Sequence, residues 1–187
     1  LFRSAYRGDP GLLLSIYGGR GVSLDNQRRY ADAENAFRKA LKIARDLNSE
    51  TSVAPLLGNI GRMQLRRGDV AAALSTIRQG LRLADRPTAR AFRPQLLMLQ
   101  ADAMFRMGNL AHAAALMDER FRGVDIEKTI LNDRDAHETA YRIYTAVGKD
   151  RLALRHLAAL KRLDDQDRKS TRLNSSHVSE SRMPSSA

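Results

Sequence analysis

The sequence predicts an all-α fold: an α-solenoid of antiparallel helix pairs, about four repeats long. Three observations carry that expectation. A spacing of 40 residues places Gly68, Gly108 and Gly148 in register, with Arg28 at the corresponding point one unit earlier. Five residues beyond that column stand Ala33, Ala73, Ala113 and Ala153, without exception. Inside each unit the apolar residues recur at helical spacing, as in Tyr30, Ala33, Phe37, Ala40, Leu41 and Ala44. Self-similarity at a fixed period of this length marks a repeat array. A non-repetitive helical bundle is the competing reading of the same helices.

Taken in order, residues 1–11 read as the end of a preceding repeat, and the array proper as 12–50, 51–90, 91–133 and 134–163. The expected helix pairs are 13–27 with 30–47, 53–67 with 70–85, 92–107 with 110–122, and 134–147 with 150–163. Each glycine of the first column closes a first helix, because a left-handed residue costs least without a Cβ. Gly21, Gly61, Ala101 and Tyr141 lie seven residues before that column. With the alanine column, they are expected where two antiparallel helices approach most closely. Phe37, Ile77, Met117 and Leu157 form a large apolar column, expected to fill the groove between one hairpin and the next. Pro55 and Pro94 are expected in first turns, where a missing N–H is harmless.

These columns resemble the tetratricopeptide repeat. YADAENAFRKAL from Tyr30 and RRGDVAAALSTIRQGL from Arg66 are similar to that family's second helix with its entry turn. RMGNLAHAAALM from Arg106 is a third copy, and VGKDRLALRHLAAL from Val147 a weaker fourth. The period exceeds the usual 34 residues and resembles the subclass of about 40 found in bacterial regulators. Tyr141 in place of a small residue and Arg28 in place of a turn glycine depart from the pattern.

The resemblance implies a scaffold that binds an extended protein or peptide along its first helices. Carried over column by column, the groove positions are Arg62, Leu65, Arg66, Asp102, Phe105, Arg106 and Arg142. The arginines would make the groove basic and suited to an acidic partner, since guanidinium gives paired hydrogen bonds to carboxylates. Leu65 and Phe105 would form its apolar floor. The same arginines also fit plain solvated helix faces. The repeat-packing set is Gly21, Ala33, Phe37, Gly61, Gly68, Ala73, Ala101, Gly108, Ala113, Gly148 and Ala153.

Composition narrows the chemistry. The chain has no cysteine, which removes disulfides and thiolate metal sites and fits a reducing cytoplasm. No run of about 18 apolar residues is present. GGRG at Gly18–Gly21 lacks the dinucleotide spacing and the Gly-Lys-Ser/Thr ending of a phosphate loop. His112, His137 and His156 are widely spaced, without carboxylate or Cys partners at ligand spacing. No nucleophile elbow occurs. No catalytic residue, cofactor or metal is therefore expected. The net charge of +11 comes from 32 basic and 21 acidic residues, and only six of the basic ones are Lys. That excess keeps a nucleic-acid-associated repeat domain of a transcriptional regulator open as an alternative, although aromatics are few and no recognition motif shows.

From residue 164 the expectation is a disordered tail, with Asp164 and Asp165 a solvated helix-end pair. DRKSTRLNSSH from Asp167 and MPSSA at the end read as a translated sequencing adapter, so Asp167–Ala187 is expected to be artefactual. Leu at position 1 suggests an upstream part. Asp135–Asp165 resembles the closing repeat that precedes an output domain, such as a GGDEF diguanylate cyclase or a kinase, in proteobacterial regulators.

Overall fold

The protein is an all-α helical-repeat solenoid. The computed structural model describes residues 9–180, with side chains through residue 170. Among these residues there are eight α-helices and no strand. They are α1 (Pro10–Asn26), α2 (Tyr30–Asp46), α3 (Glu50–Arg67), α4 (Val70–Ala84), α5 (Arg93–Arg106), α6 (Leu110–Arg120), α7 (Arg134–Ala146) and α8 (Asp150–Glu180). The expected end of a preceding helix at 1–8 lies outside the described residues. No helix among the described residues is long and apolar enough to cross a membrane.

The chain divides into two compact units, the first ending at Arg120 and the second starting at Phe121. In the first, α1 packs on α2, α2 on α3, α3 on α4, α4 on α5 and α5 on α6. The first helices α3 and α5 also touch directly. The second unit holds the hairpin α7–α8 and two single 3-10 turns, Ile126–Lys128 and Leu131–Asp133.

One turn chemistry recurs along the chain. Gly68 donates to the Leu65 carbonyl and Asp69 to that of Gln64, so the residue between has φ of 87°. The same two bonds enclose Gly108 (φ 77°) and Gly148 (φ 71°). This is the Schellman closure, which satisfies two orphan carbonyls at a helix end. Arg28 (φ 59°) and Asn48 (φ 52°) make the same turn without glycine's freedom. Each carries a Cβ in a region that L-residues disfavour.

Helix α2 shows why the apolar stripe forms a helix. Ala33, Ala36, Phe37, Ala40, Leu41 and Ala44 are all buried, the spacing of one helical face. Asp32 in the first turn and Arg45 in the last complement the helix dipole. Within this hairpin a Cβ added to Gly21 would lie 2.5 Å from the Phe37 ring. In the next, one on Gly61 would lie 2.6 Å from Ile77 and 3.6 Å from the Ala73 carbonyl. The large apolar column therefore fills the notch of its own hairpin, not the groove to the next. Small residues on the first helix exist to admit it. Met117 follows the buried pattern, whereas Leu157 is 38% exposed.

Three other expectations are corrected. Helix α3 begins at Glu50, so Pro55 lies inside it and not in its first turn. Pro94 does stand at the start of α5. The disordered tail is not seen up to residue 180: α8 runs 31 residues to Glu180. No Gly or Pro occurs between Gly148 and Pro184, and extending an existing helix needs no new nucleus. Asp164 is not merely solvated, because Arg134 Nε donates to its carboxylate at 2.6 Å. That bond holds the Arg134 proton above the usual guanidinium range.

Candidate peptide-binding face

In the first unit the expected groove residues come from the C-terminal halves of α3 and α5. Helical spacing from the small-residue column sets which way each side chain points, and the result differs from the expectation in detail. Leu65 is 2% exposed: it belongs to the core and cannot floor a groove. Its position follows two residues after buried Met63 on a helix that neighbours cover on several sides. Phe105 is half-buried. Asp102, expected to be open to a ligand, is buried and accepts from Arg106 Nε at 3.0 Å.

The arginines are unequal. Arg66 Nη1 donates to Asp25 Oδ1 at 2.6 Å, and its guanidinium lies 5.3 Å from the centre of the Tyr30 ring. Arg106 Nη1 donates to the Leu65 carbonyl at 2.6 Å. Both bonds span 41 residues, from one first helix back to the preceding one. They tie successive first helices together and offset part of the positive charge. Arg62 is different. Its Nε is buried and has no hydrogen-bond partner among the described residues. A guanidinium N–H in that state is costly. Arg142 is exposed on α7 in the second unit.

Two polar clusters escaped the sequence reading. Glu34, 6% exposed on α2, accepts from Arg38 Nη2 at 2.7 Å, Arg67 Nη1 at 3.0 Å and Gln64 Nε2 at 3.2 Å. It couples two helices through one buried carboxylate. The signal lay in a glutamate inside the apolar stripe, directly after Ala33. In the second unit His137 and His156 are 0% and 1% exposed. Their Nδ1 atoms lie 2.8 Å apart, and Phe121 lies against both rings. Their 19-residue separation gives no periodic signal at sequence level.

Among the described residues no group of three or more His, Cys, Asp or Glu could hold a metal ion.

Residues 12–86 match the family described as tetratricopeptide repeat. A 66-residue stretch is 36% identical to part of the regulatory protein AfsR of Streptomyces coelicolor. That match takes in 35% of this chain and spans only 7% of the relative's length. Among solved structures, the tetratricopeptide domain of Arabidopsis FLU is similar with a TM-score of 0.59 at 18% identity, over 62% of this chain and 98% of that one. BtubC (BKLC) from P. vanneervenii is similar with a TM-score of 0.67 at 17% identity, over 89% of this chain and 68% of that one. At these identities the likeness shows the fold alone. Repeats of the matched family generally mediate protein–protein interaction on a non-catalytic scaffold.

Proposed function

We propose that this chain is the protein- or peptide-binding arm of a larger bacterial signalling regulator, and that its first unit receives an acidic group of its partner beside Arg62. The observation behind the reading is the buried, unsatisfied Nε of Arg62 on a face whose other arginines are already engaged. A single specific guanidinium recognises a carboxylate by paired hydrogen bonds, where a diffuse basic surface would not. The match to a regulatory protein supports the signalling context, and a GGDEF or kinase output belongs to the same proposal. A cytoplasmic location fits it as well. We also read Asp167–Ala187 as translated adapter; genomic DNA that encodes the same residues overturns that reading.

Selection from a random peptide display library tests the binding proposal. Peptides enriched in Asp and Glu are expected on the native chain, with at least tenfold weaker capture by Arg62→Gln. Equal enrichment by the variant overturns the role of Arg62. A labelled duplex DNA titrated at low salt separates the nucleic-acid alternative: a salt-dependent shift that Arg62→Gln leaves intact would favour nonspecific phosphate contact.

A further inference from the structure

A cleft lies in the first unit among residues other than those of the candidate peptide face. The second helices α2 and α4 both pack on α3, and between their C-terminal turns a cleft of about 670 Å³ opens onto the first turns of α3. Val53 and Leu57, one turn apart on α3, line it together with Leu83 of α4. Arg45 from the last turn of α2 and Arg82 from the last turn of α4 line it too, with Arg86 and Glu50.

The charges of this cleft are not balanced. Glu50 accepts from Thr88 Oγ1 at 2.7 Å and from Arg86, and these bonds hold its carboxyl below the usual carboxylate range. That pair therefore stays ionised and mutually neutralised. Neither Arg45 nor Arg82 forms an ion pair with a carboxylate among the described residues. What remains is an apolar floor with two uncompensated guanidinium groups beside it. Sites for small molecules are concavities of roughly 300–1,000 Å³ with apolar contact surface and a few placed polar groups; this cleft has that volume, with Val53, Leu57 and Leu83 as its apolar surface and Asn48 and Gln79 among its polar rim.

We infer that the cleft between α2 and α4 binds a small organic carboxylate with an apolar body, its head group between Arg45 and Arg82 and its tail on Val53, Leu57 and Leu83. The site is independent of the peptide face, because Arg62 takes no part in it. The two features would let one unit hold a macromolecular partner on its first helices and a small anion on its second.

Titration of the isotopically labelled full chain with octanoate, followed by amide chemical shifts, tests the inference. Saturable shifts at Val53, Leu57 and Leu83 are expected, with octanol at least tenfold weaker. Arg45→Gln with Arg82→Gln should weaken octanoate by tenfold or more while the spectrum stays that of a folded chain, since both side chains are exposed. No saturable shift, shifts elsewhere in the chain, or equal binding of octanol would each overturn the site. Unchanged affinity in the double variant would do the same. Arg62→Gln, which tests the peptide face, should leave octanoate binding unchanged.

Discussion

His137 and His156 face each other through their Nδ1 atoms at 2.8 Å, so one imidazole must donate and the other accept. The surrounding bonds assign which. Thr129 Oγ1 has one proton and gives it to the Ile126 carbonyl at 2.7 Å. It must then accept from His137 Nε2, 2.8 Å away, as it does from Arg162 Nη2 at 3.0 Å. With the His137 proton on Nε2, its Nδ1 accepts and His156 Nδ1 donates.

This pairing gives the first prediction. His156→Phe keeps a flat ring between Phe121 and Tyr144 but removes the hydrogen bond between the two buried imidazoles, at a cost of about 1–3 kcal/mol. The double variant His137→Phe/His156→Phe removes both polar partners, and should be less destabilised than the two single changes combined. Urea unfolding of the four proteins closes the cycle. Simple additivity would show that the pair is not coupled.

Glu34 is the single buried carboxylate on which Arg38, Arg67 and Gln64 converge. Glu34→Ala should destabilise the first unit by roughly 1.5–3 kcal/mol, the range for hydrogen bonds to a charged group. Arg29, whose pair with Asp32 is exposed on both sides, serves as a control: Arg29→Ala should cost below about 1 kcal/mol. Comparable losses from the two would mean that burial of Glu34 adds nothing.

Arg28 stands in the left-handed region that glycine takes at three equivalent turns. Arg28→Gly should therefore stabilise the chain, by about 0.5–1 kcal/mol once glycine's greater freedom in the unfolded chain is discounted. Gly61→Ala should do the reverse, by about 1–3 kcal/mol, because its Cβ meets Ile77. Thermal unfolding reports both signs. A destabilised Arg28→Gly would mean that the arginine side chain makes up for its backbone.

Glu50 titrates below its ordinary value of 4.5 through the Thr88 and Arg86 bonds. The unfolded chain therefore takes up this proton first as pH falls. Its contribution is present above 4.5 and disappears as pH drops through the lower folded value. Glu50→Gln should melt slightly below the native chain at neutral pH and converge with it in acid. A gap that widens in acid would contradict the assignment.

The helical class was legible because period and packing are the same fact read twice. Gly61 and Ile77 fall in register because each is cut to fit the other, and this pairing repeats along the chain. Turn residues were legible by the same logic, Arg28 included. What stayed hidden was polar and long-range. Leu65 sits in a family groove column but turns inward, since neighbouring helices cover that side of α3. The partners of Arg66 and Arg106 lie one whole repeat back. The two histidines meet only because α7 and α8 run past each other in one hairpin. The extension of α8 was misjudged from a serine-rich composition, when the absence of Gly and Pro was the better guide.

The backward reach of Arg66 to Asp25 and of Arg106 to Leu65 has a consequence for how such a chain can change length. Arg66 and Arg106 occupy equivalent places one period apart. Excising one full period between them would bring Arg106 onto Asp25, and duplicating one would offer each new arginine an acceptor in the copy before it. A cut of any other size takes the arginine at the junction out of register with its acceptor one repeat back. The array is therefore quantised: changes of a whole period keep these backward bonds, and changes of any other length break them at the junction.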